Sequence, residues 1–125
     1  VTRLLLDTHV FVWWVKAAPK ITPAWLEAIL DPANSVYVSA VTAWEIETKK
    51  RIKKLDFDYE VASVTAEFGF EQLAVTMDHA AEAGSLEWEH RDPFDRMLVA
   101  QARVNDMTLL TSDMTVKSAP GIRVL

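Results

Sequence analysis

The chain has 125 residues, 50% of them apolar, which is enough to bury one core across residues 1–125 and leaves no room for a second catalytic module. It contains no cysteine, so disulfide staples, thiolate metal sites and cysteine nucleophiles are excluded, and any metal must be held by oxygen or imidazole. A formal charge of −5 argues against non-specific binding to nucleic acid, because phosphate contacts need clustered Lys and Arg.

In chain order, Arg3-Leu4-Leu5-Leu6 is a short apolar run of the kind that fills a strand buried on both faces, and that strand ends at Asp7. The segment His9 to Val15 is apolar on every side, so its pattern alone does not separate helix from strand. A parallel crossover requires a helix there. The whole apolar stretch from Leu4 to Val15 is broken by Asp7, Thr8 and His9 and is too short to span a bilayer. It also lacks a small-residue cleavage pattern, so a soluble, cytoplasmic protein with no membrane association is expected. Thr22-Pro23 reads as an N-cap with proline at the first helical position, and Trp25, Leu26, Ile29 and Leu30 give that helix one apolar face up to Asp31-Pro32.

Val36-Tyr37-Val38 is the second strand. From Ser39 a long helix is expected, with Val41, Trp44, Thr48 and Ile52 on one side and Glu45 on that inward side. Asp58 is expected to start another helix through Val61, Val64 and Phe68, ended by Gly69 in a left-handed cap. Gln72 to Val75 makes a third strand, Thr76 to about Glu87 a further helix, and Asp92-Pro93 caps a helix carrying Met97, Leu98, Val99 and Ala102. Thr108 to Thr111 is a fourth strand leading to Asp113, and Ile122 to Leu125 a fifth at the sheet edge. Strands alternating with helices through short loops predict one α/β domain: a three-layer α/β/α sandwich around a mostly parallel, doubly wound sheet of four to five strands. In such a sheet the ligand site lies beyond the carboxyl ends of the strands, at the switch in strand order.

Asp7, Glu45, Asp95 and Asp113 are then expected to converge at that edge. Each has an ordinary structural alternative. Asp7 is placed to cap a helix, Asp95 to sit in the first turn of one, and Asp113 to close a turn. Glu45 resists such a reading, because a glutamate on a core-facing side must be paired or coordinated; Arg96 is a basic partner that would satisfy it. One cation accounts for all of them together, and oxygen ligands from separate elements suit Mg²⁺ or Mn²⁺. Metal-assisted phosphodiester hydrolysis is the chemistry expected of that set. The dense run Lys49, Lys50, Arg51, Lys53 and Lys54 is either a solvated helix end or a contact for nucleic acid, with Arg96 a further basic residue.

The stretches Leu4-Leu5-Leu6-Asp7-Thr8-His9, Ser39 to Ile46 (SAVTAWEI), Arg91-Asp92-Pro93-Phe94-Asp95-Arg96 and Leu109-Leu110-Thr111-Ser112-Asp113 together resemble the PIN-domain family, and more narrowly its VapC-type toxins. The resemblance runs the length of the chain, in order. It implies a Mg²⁺- or Mn²⁺-dependent endoribonuclease, often a homodimer, held inactive by a cognate antitoxin protein. Carried over by position, Asp7 and Asp95 are the principal metal ligands, and Glu45 and Asp113 complete the pocket. Thr8, Thr111, Ser112 and Asp92 match supporting positions. His9 matches a common neighbour of the first acid, for which a packing role is preferred over general base.

Two rival classes fit less well. A phosphoacceptor signalling domain needs adjacent acids after the first strand and a Lys after a later one, whereas Asp7 stands alone and Lys117 is expected late in a loop. A catalytically idle binding module would use Trp13, Trp14 and Trp25 as a partner surface. Within the nuclease reading the same apolar surplus, centred on Val10, Trp14 and Trp25, is the expected place for antitoxin or a second copy to dock.

Overall fold

The structure is a computed structural model that describes residues 1–125. Its elements run β1 (Arg3–Leu6), α1 (Thr8–Val15), α2 (Pro23–Leu30), β2 (Ser35–Ser39), α3 (Ala40–Arg51), α4 (Val61–Glu67), β3 (Glu71–Leu73), α5 (Met77–Ser85), α6 (Pro93–Val104), β4 (Thr108–Leu110), α7 (Met114–Lys117) and β5 (Arg123–Val124). All strand pairs are parallel, in the order β3-β2-β1-β4-β5. No helix is long and apolar enough to cross a membrane.

The layers follow from the two-residue period of a strand. Leu4 and Leu6 point into one core cluster with Val36, Val38 and Leu110, while Leu5 points into the other with Leu109. The first cluster is closed by Val10 and Phe11 of α1, Trp25 and Ile29 of α2, and Val61 and Val64 of α4. The second is closed by Leu98, Val99 and Ala102 of α6 and by Val116 of α7. Helix α3 contributes to both, Val41 to one and Ile46 to the other, so it lies across the carboxyl end of the sheet. The result is the expected three-layer α/β/α sandwich.

Strand β1 lies between β2 and β4, so the chain leaves it in one direction first and returns on its other side later. That reversal opens the switch-point crevice at the ends of β1 and β4. Asp7 follows β1 directly, and its N–H donates to the carbonyl of Leu110 at 3.1 Å, which ties the first strand end to the second.

Several expectations are corrected. At about 100° per residue, the buried residues of α3, Val41, Thr42, Glu45 and Ile46, span an arc of roughly 140° that leaves out Trp44. Trp44 and Ile52 are accordingly exposed, and the expected inward face was rotated away from the real one, although Glu45 lies on it. Asp58 does not start α4; the helix begins at Val61 behind Glu60, with no side-chain cap. Strand β3 begins one residue earlier than expected and is shorter, because the chain turns toward the Thr76 cap of α5. The short helix α7 was not foreseen, and Lys117 is its last residue rather than part of a loop. Gly69 has φ +70°, the left-handed conformation its position after α4 required.

Candidate active site

Asp7 is buried, and one of its oxygens, Oδ1, accepts the N–H of Val10 at 2.8 Å, so it caps α1 as its sequence position allows. Burial pushes its pKa above the ordinary 3.8, with the nearby charge of Glu45 adding to the shift; the Thr111 hydroxyl, the Val10 N–H and the charge of His9 act against it. The next residue, Thr8, is also buried. Its hydroxyl donates to Glu45 Oε1 at 2.6 Å and lies 3.3 Å from the Thr42 hydroxyl.

Glu45 comes from α3 and is buried. Its second oxygen, Oε2, accepts from Lys49 Nζ at 2.5 Å, an i,i+4 pair on one helix. The expected alternative partner, Arg96, is engaged elsewhere. Its Nε donates to the Ala83 carbonyl at 2.9 Å, Nη1 to those of Trp88 and His90 at 2.7 and 3.0 Å, and Nη2 to that of Leu86 at 2.8 Å. Arg96 is therefore a clamp on the connection between α5 and α6, with its donors committed to carbonyls rather than presented to RNA phosphates.

Asp95 is the third residue of α6, partly buried behind the Asp92-Pro93 cap. Asp92 Oδ1 accepts the N–H groups of Phe94 and Asp95 at 2.8 and 3.3 Å. Burial raises the pKa of Asp95, the contact with His90 opposes that shift, and the charges of Asp92 and Glu45 reinforce it. His90 Nε2 lies 2.7 Å from Asp95 Oδ2. The ligand atoms of His90, Asp92 and Asp95 all lie within 4.8 Å of one another.

Asp113 caps α7, accepting the N–H of Thr115 at 2.8 Å and of Val116 at 3.4 Å. Its own N–H donates to the Thr111 hydroxyl at 3.1 Å. Buried Thr111 thus touches both Asp7 and Asp113, while Ser112 between them is exposed.

The pocket is built from three elements. Asp7 and Asp95 each feel the charge of Glu45. Asp113 joins through Thr111 alone. Hard oxygen donors of this kind, with the ionised forms of Asp7 and Asp95 disfavoured by burial, fit a divalent cation such as Mg²⁺ or Mn²⁺. The group of potential metal ligands whose atoms lie within 4.8 Å of one another is His90, Asp92 and Asp95, in which Asp92 Oδ1 serves its helix cap and His90 Nε2 faces Asp95; Asp7, Glu45 and Asp113 fall outside it.

The remaining sequence candidates separate. His9 is exposed and stacks on Trp13 at 5.9 Å, which favours packing. Val10 is 0% exposed, and Trp25, 4% exposed, donates its Nε1–H to the Leu125 carbonyl at 2.8 Å. Both belong to the core and not to a docking surface, because α1 and α2 pack their apolar faces onto the sheet. Trp14 lines an apolar cavity of about 450 Å³ with Val15, Ala17, Ala18, Ile21, Leu26 and Phe68. The basic run also divides: Lys49 pairs with Glu45, Lys50 with Glu47 at 3.4 Å, and Arg51, Lys53 and Lys54 are exposed. Sequence reasoning missed the Lys49 pairing, although a Glu four residues before a Lys on a helix signals it. It also missed His90, whose contact with Asp95 depends on how the loop before α6 folds back.

The model of the PIN domain family matches residues 4–121. Over 120 residues the chain is 27% identical to ribonuclease VapC22 of Mycobacterium tuberculosis, covering 94% of this chain and 92% of that protein. Among solved structures, a chain of the DNA-bound VapBC complex of Salmonella typhimurium superposes with a TM-score of 0.72 at 19% identity, covering 100% of this chain and 98% of that one. A chain of VapBC2 from Rickettsia felis, bound to a promoter DNA fragment, gives 0.69 at 17% identity, covering 99% and 98%. A parallel sheet in the order β3-β2-β1-β4-β5, with buried acids at its switch point and a family match running from β1 to the approach to β5, shows that the chain belongs to the PIN domain family.

Proposed function

We propose that this chain is a divalent-metal-dependent endoribonuclease, the toxin of a toxin–antitoxin pair. One observation carries the chemistry: Asp7 and Glu45 are buried and Asp95 partly buried, at the end of β1, on α3 and on α6; the charge of Glu45 bears on both aspartates, and Lys49 pairs with Glu45 alone. Mg²⁺ or Mn²⁺, when bound, supplies a lowered pKa for water and offsets the charge of a phosphodiester. Asp7 and Asp95 would hold it. Glu45 and Asp113 complete the negative wall, directly or through water. Thr8 fixes one oxygen of Glu45 and Lys49 the other, so that this side chain keeps its orientation as charge changes around it. In the reaction a water oxygen forms the new bond to phosphorus and loses a proton, while the bond to the leaving ribose oxygen breaks and that oxygen gains one.

The named relatives supply the biological setting: one is a ribonuclease, and the solved neighbours are VapBC complexes. By that likeness an antitoxin protein restrains this chain and RNA is its substrate; a homodimeric working form and a cytoplasmic place complete the proposal. The apolar cavity beside Trp14 suits a partner segment, and the buried Trp14 Nε1–H has no acceptor within the chain. Substitution tests the catalytic assignment. Asp95→Asn and Asp7→Asn keep the size of each side chain, and RNA hydrolysis should fall by roughly a hundredfold or more with the fold intact. Wild-type cleavage by folded Asp95→Asn would contradict the reading.

A further inference from the structure

Two consecutive residues of α6 grip the same loop residue. Asp95 meets the side chain of His90 at 2.7 Å, and Arg96 meets the His90 carbonyl at 3.0 Å. The imidazole is further packed against the Trp88 ring, 4.8 Å between centroids, and the carbonyl of Trp88 is itself held by Arg96. These contacts fix both the ring and the main chain of His90 beside Asp95. What His90 touches is Oδ2 of Asp95, and Oδ1 has no donor within the chain.

We infer that His90 is a positioning residue for Asp95, holding one carboxylate oxygen so that the other is presented to a divalent cation. This rests on the metal-nuclease reading above. An ionised carboxylate only accepts hydrogen bonds, so the shared proton lies on Nε2. The terminal torsion of an aspartate is broad and two-fold, and a single donor on Oδ2 removes that freedom. Fixing a ligand's orientation in advance strengthens metal binding, and loss of such an outer partner characteristically weakens it about 10- to 100-fold. Arg96 acts one step further out, through the main chain that carries the imidazole.

Mn²⁺ affinity, measured on the full chain by calorimetry and by the electron paramagnetic resonance of free ion, tests this without RNA. His90→Ala should weaken Mn²⁺ binding about 10- to 100-fold. His90→Gln, whose amide nitrogen falls near the place of Nε2, should restore much of the loss; His90→Asn, whose amide falls near Nδ1, should not. In an Asp95→Asn background His90→Ala should cause no further loss, because the two act as a unit. Equal affinities for folded His90→Gln and His90→Asn, or wild-type affinity in His90→Ala, would overturn the assignment while leaving the nuclease reading in place. Failure of the unaltered chain to bind Mn²⁺ would overturn both.

Discussion

Glu45 and Asp95 are both helical acids beside the carboxyl edge of the sheet, yet their surroundings differ. Glu45 is buried, and both its oxygens are satisfied from nearby: Thr8 from the first turn of α1, Lys49 from one turn along the same helix. Asp95 is less buried and meets only an imidazole; burial raises its pKa, and the charges of Asp92 and Glu45 add to that rise. A carboxylate with a complete set of donors is a fixed wall. One with a single donor and two acidic neighbours has an unmet need for positive charge, which under the proposed function favours Asp95 over Glu45 as a cation ligand.

The largest structural effect should come from the clamp behind Asp95. Arg96→Met removes a charged donor from four carbonyls at once, and should cost on the order of 2–4 kcal/mol in unfolding by denaturant. Lys49→Met, on the Glu45 side, should cost roughly 1–2 kcal/mol in the metal-free protein, since Thr8 still binds the acid. Equal losses would remove the distinction between a loop-holding arginine and a charge-compensating lysine.

That contrast also shows what the sequence conveyed. The apolar runs Leu4-Leu5-Leu6 and Leu109-Leu110 fix strands buried on both faces; Asp7 follows the first directly, and Asp113 comes after Thr111 and Ser112 as the cap of α7. The helix caps Thr22-Pro23 and Asp92-Pro93 were legible from their chemistry alone. Helix orientation was harder to read. Trp44 looked like core because it is apolar, and it is exposed because α3 crosses the sheet end and buries only one arc. Val10 and Trp25 erred the other way: each helix carries more apolar residues than it buries, and the pattern does not say which of them meet the sheet. Arg96 and His90 depend on contacts across the α5–α6 loop, which local pattern does not encode.

pH sharpens the comparison next. Asp7 and Asp95 have folded pKa values raised above the ordinary 3.8, so their protonated forms favour the folded state. That stabilisation is present below the unfolded value and is lost as pH rises through the folded values. In the metal-free protein, Asp95→Asn and Asp7→Asn should therefore gain thermal stability over the unaltered chain as pH rises through that window. Melting temperature against pH in chelator measures it; a variant whose difference from wild type does not change with pH would contradict the assigned shifts.

The smallest effect belongs to the basic run. With Lys49 committed to Glu45, the residues free to meet RNA are Arg51, Lys53 and Lys54. Neutralising each should flatten the logarithmic salt dependence of RNA binding by about 0.7 if it contacts phosphate. An unchanged slope would make this end of α3 a solvated terminus and nothing more.

Mn²⁺ binding to the unaltered chain and to Asp7→Asn, compared at equal pH by calorimetry, tests the central claim most directly. The account predicts a Mn²⁺ site in the unaltered chain that is weakened severalfold or more in Asp7→Asn, with both proteins folded. Equal binding by the two, or none by either, would contradict a cation held by the carboxylates at the switch point.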